Sequence, residues 1–513
     1  MSEQAISSPY PMYTEFQERY QEPALARQPA AAKAGIPAAS PAAATSPANT
    51  SVMAPTEALH QRLLAEVPAP ALQARAAEYL RAQIAALDPL DCDLPATPEG
   101  LMGWMNDGAA VTTTRYADYL DARKAGAPRR FFGNRAHALY FLRAVAPTKL
   151  ADGAWLYGLL PHWRNPKFAD LVRTYLEELG EGAADKNHVT LYRQLLARHG
   201  LDPVDDLPEA FYTQGAIQMS LGCNAEAFLP EVIGFNLGYE QLPLHLLITA
   251  YELNELGIDP YYFTLHVTVD NGDTGHARRA VQAVLDNLPR IGDPGEFWRR
   301  VRTGYQLSNA GLGTNDVVNG FDIDAEVVRI FRHKSTAGQG AHSDYCRVAG
   351  RSVNDWLATP DDVPAFLAAL GAAGWIRRGA PAEESRFWGL LQGDRAEMFG
   401  VFSSYELQVI HDWLRGAASA DGRPFTEMPA ADGQPRRPSF RVAARLAAAR
   451  GQSPLATEPA ADTLDSDLQA LAEQLPRLDE EGQARLLVQA MAPSQHWTLA
   501  GLKATQLFVE RAR

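Results

Sequence analysis

The chain has 513 residues, of which 46% are hydrophobic and 21% charged, and it carries a net charge of −14. This length and composition predict two or three folded units with ample apolar material for a core. A negative charge without a concentrated basic patch argues against nucleic acid as a partner.

The number and spacing of the cysteines and the length of the hydrophobic stretches indicate the cellular compartment. The three cysteines are too few and too far apart for a disulfide framework or a thiolate zinc site. No stretch reaches the roughly 18 unbroken apolar residues that span a bilayer, so we expect no membrane contact. The amino terminus is acidic and lacks an apolar secretory core, so we expect no signal peptide and a cytoplasmic protein.

The first part of the chain divides into an arm and a helical domain. Residues 1–56 are rich in Ala, Pro, Ser and Thr, and repeated prolines exclude a helix, so we predict a disordered arm. Apolar residues then recur at helical spacing, and we predict a helical domain over residues 57–306. Its predicted helices include 116–125, 135–145, 151–160, 167–179, 188–199, 228–256, 262–288 and 295–305.

The carboxyl-terminal region, residues 307–513, is less regular. Its predicted helices are 323–332, 364–374, 404–414 and 464–487, separated by linkers rich in Gly and Pro. Alternating runs of Val, Ile and Thr are scarce, and no strand–glycine turn–helix unit is present. We therefore predict an all-α fold with a mainly helical carboxyl-terminal extension of unknown role.

Three segments concentrate side chains that bind metal ions. The first contains, at steps of 3, 4 and 3, the residues Glu178, Glu181, Asp185 and His188. In a continuous helix these positions share one face. Three carboxylates on that face would repel one another unless a cation or solvent relieved the charge. The alternative interpretation is an exposed acidic face.

The second segment, residues 230–253, is strongly apolar yet contains Glu231 and Glu240. A buried carboxylate needs a compensating partner. The two glutamates are nine positions apart, on roughly opposite helix faces, so a regular helix cannot direct both at one site. Pro243 is expected to kink or restart the helix after Glu240. We interpret His245 as a core histidine rather than a ligand.

The third segment, residues 261–280, combines imidazoles and carboxylates. His266 and Asp270 are four positions apart and Asp273 follows three later, so one helical face carries all three. His276 comes another three positions on, near the same stripe. Such ligands without cysteine suit Fe, Mn or Zn. The alternative is the amino-terminal region of a helix with capping acids.

Together the three segments favour a shared metal centre. Several helices that each project Glu, Asp or His inward are the usual composition of a carboxylate-bridged dimetal site. The aromatic residues Phe235, Tyr239 and Phe263 are close in sequence to the candidate ligands. They could line the pocket of such a site, or belong to the ordinary core.

The motifs in these segments resemble those of a known family. E-L-G-x-G followed by N-H, then G-F-N-L-x-Y-E, then Y-F-x-L-H-V-x-x-D-N with a later G-H-A, resemble the haem-oxygenase-like diiron oxidases and oxygenases, also called iron-containing redox enzymes. The resemblance covers about residues 131–287. It implies a haem-oxygenase-like helical bundle with two Fe²⁺ ions, which uses O₂ to oxidise a small organic amine or acid.

The resemblance also implies a set of ligands. The positions that match the family, or that we prefer for it, are Glu178, His188, Glu240, His266, Asp270 and His276. A Tyr-Glu pair followed by proline favours Glu240 over Glu231. The family's last histidine would fall at Asp273, so His276 requires the stretch from Gly272 to Gly275 to loop out. Additional carboxylates could come from Glu181 or Asp185, as in some relatives.

Two other functions remain open at this point. One is a metal-free haem-oxygenase-like enzyme, and the other is a helical small-molecule-binding protein whose acidic stripes are solvated. Neither predicts tightly bound iron. The expected partners are a small-molecule substrate and O₂, with no substrate-binding residue predicted. The carboxyl-terminal third could complete the pocket or mediate pairing into a homodimer.

Overall fold

The computed structural model describes residues 55–87, 92–201, 207–269, 275–338, 340, 342–392, 396–423 and 465–512. Most of the predicted arm, residues 1–54, lies outside this range. So do Asp270 and Asp273.

The described residues confirm the all-α fold class, with a single two-stranded sheet among them. The helices up to residue 307 are α1 (Pro55–Ala65), α2 (Pro70–Ala85), α3 (Leu101–Lys124), α4 (Arg135–Ala144), α5 (Ala146–Lys149), α6 (Ala169–Glu178), α7 (His188–Arg198), α8 (Thr213–Cys223), α9 (Leu229–Tyr239), α10 (Leu244–Glu255), α11 (Tyr261–Val269), α12 (His276–Asn287) and α13 (Pro294–Leu307).

Shorter elements dominate the region after residue 307. These are α14 (Thr314–Asn319), α15 (Ile323–Gly338), β1 (Arg347–Val348), β2 (Arg351–Ser352), α16 (Val353–Leu357), α17 (Val363–Ala372), α18 (Arg386–Leu391), α19 (Ser404–Arg415), α20 (Ser466–Gln474), α21 (Glu480–Ala490) and α22 (Leu499–Ala512). The two strands pair antiparallel, with Arg347 opposite Ser352.

The chain does not run as one continuous helix through Glu178, Glu181, Asp185 and His188, so these residues do not share one helical face. Helix α6 ends at Glu178, a single 3₁₀ turn covers Gly180–Gly182, and α7 begins at His188. The helix stops because Gly180 and Gly182 take positive φ values of 63° and 85°, a backbone region that glycine enters at little cost.

Two other predicted helices differ in detail. The stretch predicted as 151–160 is a 3₁₀ helix, Ala154–His162, with Pro161 inside it. The stretch predicted as 228–256 is two helices, because α9 ends at Tyr239 and α10 begins after Pro243. Proline lacks the amide hydrogen that would continue the helical hydrogen bonds.

Two glycines bring α9 and α13 into backbone contact. A Cβ atom on Gly234 would lie 1.9 Å from the carbonyl oxygen of Val301, and one on Gly304 would lie 2.0 Å from that of Glu231. No side chain fits between backbones at this distance. The close contact fixes α9, whose carboxyl-terminal end leads directly into Glu240.

The apolar core does not divide near Leu307. One cluster of buried residues combines α4, α7, α10 and α11 with α15, α17 and α19, and a second combines α6, α8, α9, α12 and α13 with α20 to α22. The carboxyl-terminal helices therefore complete the same cores as the helices that carry the candidate ligands. Among the described residues, no helix is both long enough and apolar enough to cross a bilayer.

Candidate metal centre

Six buried side chains form two adjacent groups of potential metal ligands. The first group is Asp152, Glu178, His188 and His266, and the second is Glu178, Glu240 and His276. Within each group, one ligand atom from every residue lies within 4.8 Å of the others. Glu178 belongs to both groups, so its carboxylate is placed to bridge two ions.

Most of these side chains stand at the ends of helices. Glu178 is the last residue of α6, His188 the first of α7 and His276 the first of α12. Glu240 directly follows α9, and Asp152 lies in the turn after α5, so only His266 comes from the interior of a helix. The two groups thus depend on how several chain segments meet, not on one helical stripe.

Gly153 allows the turn that carries Asp152 to approach Glu178. Its φ is +76°, and a Cβ atom there would lie 3.0 Å from Cβ and 3.2 Å from Cγ of Glu178. Any other residue would meet both a strained backbone and a crowded neighbour. Glycine is therefore required for the close contact between Asp152 and Glu178.

The hydrogen bonds of His266 leave one ring nitrogen directed at the first group. Its Nδ1 lies 2.9 Å from the carbonyl oxygen of Tyr262, which can only accept, so Nδ1 carries a proton. Its Nε2 lies 3.0 Å from Oδ2 of Asp152. The Tyr262 hydroxyl donates to the same Asp152 oxygen at 2.7 Å. A backbone carbonyl behind a ligand histidine is the usual arrangement at metal sites.

His188 and Glu178 are closer than a hydrogen bond explains. The Nδ1 atom of His188 lies 2.5 Å from Oε2 of Glu178 and 3.6 Å from Oδ2 of Asp152. The atom is fully buried, yet no neighbour is oriented to form a hydrogen bond with it. A buried imidazole nitrogen close to two carboxylates, without a hydrogen bond of ordinary geometry to either, is the arrangement expected around a cation.

In the second group, His276 is oriented by a carboxylate that is not itself a member of the group. Its Nδ1 lies 2.9 Å from Oε2 of Glu240 and 3.5 Å from Oε1 of Glu178. Its Nε2 lies 2.9 Å from Oε2 of Glu177. Arg279 also donates to Glu177, which fixes that carboxylate. The carboxylate–histidine pair directs Nδ1 at the group.

Electrostatics keep the buried carboxylates ionised. Burial raises the pKa of Asp152, but the Lys149 charge and the adjacent imidazoles of His188 and His266 outweigh it and lower the pKa well below its usual range. Burial likewise raises the pKa of Glu178, and the charge of His188 more than offsets this. In turn Glu178 raises the pKa of His188 against the effect of burial. The charge that stabilises these anions is the kind that a metal ion supplies.

A cavity of about 360 Å³ opens onto both groups. Asp152, Glu178, Glu240 and His266 all border it. Aromatic side chains form part of its wall: Phe141, Trp155, Tyr239 and Phe263. This volume is near the lower end of the roughly 300–1,000 Å³ of small-molecule sites. Phe235 does not border the cavity and instead stacks on Tyr239 at 4.7 Å between ring centroids.

The structure brings together five of the residues predicted from sequence: Glu178, His188, Glu240, His266 and His276. Glu231 is in neither group, because its carboxylate pairs with Arg300 at 2.6 Å. Glu181, which is exposed, and Asp185, which is half-buried, also lie outside both groups. His245 borders the cavity rather than the core.

Two residues of the centre were not predicted. Asp152 lies in an apolar stretch, and a buried carboxylate followed by glycine is a signal that sequence reasoning could have used. Glu177 is adjacent to Glu178, but a sequence cannot tell which of two neighbouring glutamates binds a metal and which orients a histidine. Both assignments depend on distances between segments far apart in the chain.

The residues fit a pair of iron ions. The groups offer carboxylate oxygens and imidazole nitrogens and no thiolate, a combination that suits Fe and also Mn or Zn. The shared Glu178 and the adjoining cavity fit a bridged pair with positions open to small molecules.

Comparison with known proteins agrees with this donor set. No curated protein and no solved structure matches the chain. Residues 139–309 match the model of one family, described as iron-containing redox enzymes. All six ligand candidates of the two groups lie inside the matched stretch. The resemblance to the iron-containing redox enzymes is thereby confirmed over residues 139–309 of this chain.

Proposed function

We propose that this protein is a non-haem diiron oxidoreductase that uses O₂ to oxidise a small organic molecule. One observation carries the proposal: two buried ligand groups share Glu178 and border the same cavity. The first iron would be held by Asp152, Glu178, His188 and His266, and the second by Glu178, Glu240 and His276.

The chain's own residues would prepare the site for this chemistry. Ferrous ions held there would supply electrons to O₂, while the protein provides carboxylates that stay ionised and histidines with fixed tautomers. The apolar walls around Phe141 and Phe263 would exclude bulk water from the reacting molecule. The cavity's size favours a small metabolite over a polymer or a long-chain lipid.

Iron binding and O₂ uptake test the proposal. After anaerobic loading with Fe²⁺, we expect about two irons per native chain, and O₂ uptake on exposure to air. His266→Ala should hold less iron and take up less O₂. The matched control is His333→Ala, because His333 is exposed on α15 and lies in neither group.

The alternative functions predict different results. A metal-free enzyme or a helical binding protein would hold no tightly bound iron, and His266→Ala would then behave like His333→Ala. If the native chain held Mn or Zn in preference to Fe, the site would remain but the proposed O₂ chemistry would fail.

A further inference from the structure

The cavity wall carries a cation that is not a ligand in the proposed iron site. Lys149, the last residue of α5, borders the cavity three residues before Asp152. Among described residues, its ammonium makes no ion pair within 4.0 Å, although it lies 5.7 Å from the centroid of the Tyr262 ring. Lys149 is half-buried, and an anion bound in the cavity would give its ammonium a partner.

The charge of Lys149 reaches other groups that border the cavity. It lowers the pKa of Asp152 against the effect of burial. His245 also borders the cavity, and although the residue is exposed overall, desolvation of its ring by neighbouring groups and, secondly, the Lys149 charge lower its pKa. Lys149 and His245 therefore border the same cavity as the metal groups, where both can contact a bound molecule.

Several other polar side chains of the wall already have partners. The Gln214 amide donates to the carbonyl oxygens of Leu307 and Ser308, and the Tyr239 hydroxyl donates to the Gln214 carbonyl oxygen at 3.3 Å. Gln241 donates to the carbonyl oxygen of Leu237 at 2.8 Å. Among the described residues that border the cavity, Lys149 is the one Lys or Arg, so it is the wall group best placed to hold an anionic ligand.

We infer that Lys149 and His245 form an anion subsite that holds the carboxylate of a small acid substrate. This inference rests on the proposed diiron function and narrows its substrate class from amines and acids to carboxylic acids. Two Fe²⁺ ions would outweigh the three ligand carboxylates by one positive charge, so the loaded cavity would attract an anion. The apolar residues Phe141, Leu246 and Phe263 would pack around the rest of the molecule.

Benzoate and benzamide test the subsite because they have nearly the same shape and differ in charge. Their binding to the anaerobic, iron-loaded protein would be measured by equilibrium dialysis, with the iron content determined in the same samples. We expect benzoate to bind at least about tenfold more tightly, since hydrogen bonds to a charged partner are the stronger ones. Lys149→Met should reduce this preference to below about threefold, and Lys149→Arg should retain it.

Each other outcome decides against the subsite. Equal binding of the two probes to the native protein would overturn it. An unchanged preference in Lys149→Met would mean that the irons alone bind the carboxylate. Loss of iron from Lys149→Met would mean that Lys149 supports the metal ligand Asp152 and does not bind the substrate. If the native chain held no iron, the proposed function would fail and the subsite with it, whereas iron without a benzoate preference would refute the subsite alone.

Discussion

At the scale of single residues, the centre depends on groups that orient the ligands as much as on the ligands. His266 is oriented by the Tyr262 carbonyl and His276 by the Glu177 carboxylate. Each partner fixes which ring nitrogen carries the proton and which is directed at its group. Glu177 differs from the ligand carboxylates because Arg279 donates to it and neutralises its charge.

Replacing Glu177 tests this orienting role. In Glu177→Gln the His276 ring loses its charged partner, and we expect the affinity for the second iron to fall by about 10- to 100-fold while the first iron is retained. A stepwise anaerobic Fe²⁺ titration measures both affinities. Glu226→Gln is the matched control, since Glu226 contacts His162 at 3.2 Å on the surface. Equal titrations for the two variants would show that Glu177 does not orient a ligand.

At the scale of elements, the turn between α6 and α7 is held by the carboxyl-terminal helices. The Tyr175 hydroxyl donates to the carbonyl oxygen of Met491 at 2.8 Å, and the Gln506 amide donates to that of Gly182 at 3.2 Å. Asn187 caps α7 and contacts His496. Since Glu178 and His188 flank this turn, the end of the chain positions both of them.

Gly182→Ala should disturb this contact. Gly182 has a φ of +85°, and a Cβ atom there would lie 2.5 Å from the carbonyl oxygen of Leu502 in α22. We expect the free energy of unfolding to fall by more than about 2 kcal/mol, with loss of iron. Gly374→Ala has a similar φ of +73° but open space around it, so about 1 kcal/mol and unchanged iron are expected.

Chemical denaturation and iron analysis of both glycine variants check this prediction. If Gly182→Ala were no less stable than Gly374→Ala, α22 would not hold the turn. If Gly182→Ala were less stable but held as much iron as Gly374→Ala, the turn would support the fold without being needed for the metal centre.

Sequence periodicity predicted the helices and the restart after Pro243, because those features depend on local backbone preferences. The shared helical face from Glu178 to His188 does not form, because glycines in the left-handed region separate the two predicted helices. Sequence periodicity left Glu231 and Glu240 open, because the Arg300 partner of Glu231 is far along the chain. It missed Asp152 because the residues that Asp152 contacts are also far along the chain.

At the scale of the whole molecule, residues of the family match, 139–309, pack in the same hydrophobic clusters as residues outside it. Leu471, Leu487 and Phe508 pack in the same cluster as Phe235 and Val281. Buried residues from both sides of Leu307 therefore belong to the same cluster. Residues outside the family match contribute to the stability of the part that carries the metal ligands.

A buried histidine that belongs to neither metal group should make the fold sensitive to acid. His60 on α1 is fully buried and its Nε2 donates to the carbonyl oxygen of Pro147 at 2.8 Å. Burial lowers its pKa from 6.5 to about 4, despite that hydrogen bond. As the pH falls below 6.5 the unfolded chain takes up the proton first, so stability is lost between pH 6.5 and 4.

His60→Gln should remove about 2.4 kcal/mol of the loss between pH 7 and pH 4.5, an interval that covers most of the difference between the two pKa values. Urea unfolding at pH 7 and pH 4.5 measures the loss for the native chain, for His60→Gln and for the exposed control His333→Gln. Identical losses in all three would show that His60 is not a source of acid sensitivity.

The sharing of Glu178 by two metal groups is the central claim, and iron content in three variants tests it most directly. After anaerobic loading, His266→Ala and His276→Ala should each retain about one iron per chain, and Glu178→Ala should retain none. Two irons retained in Glu178→Ala, or the same loss in all three variants, would contradict a bridged pair.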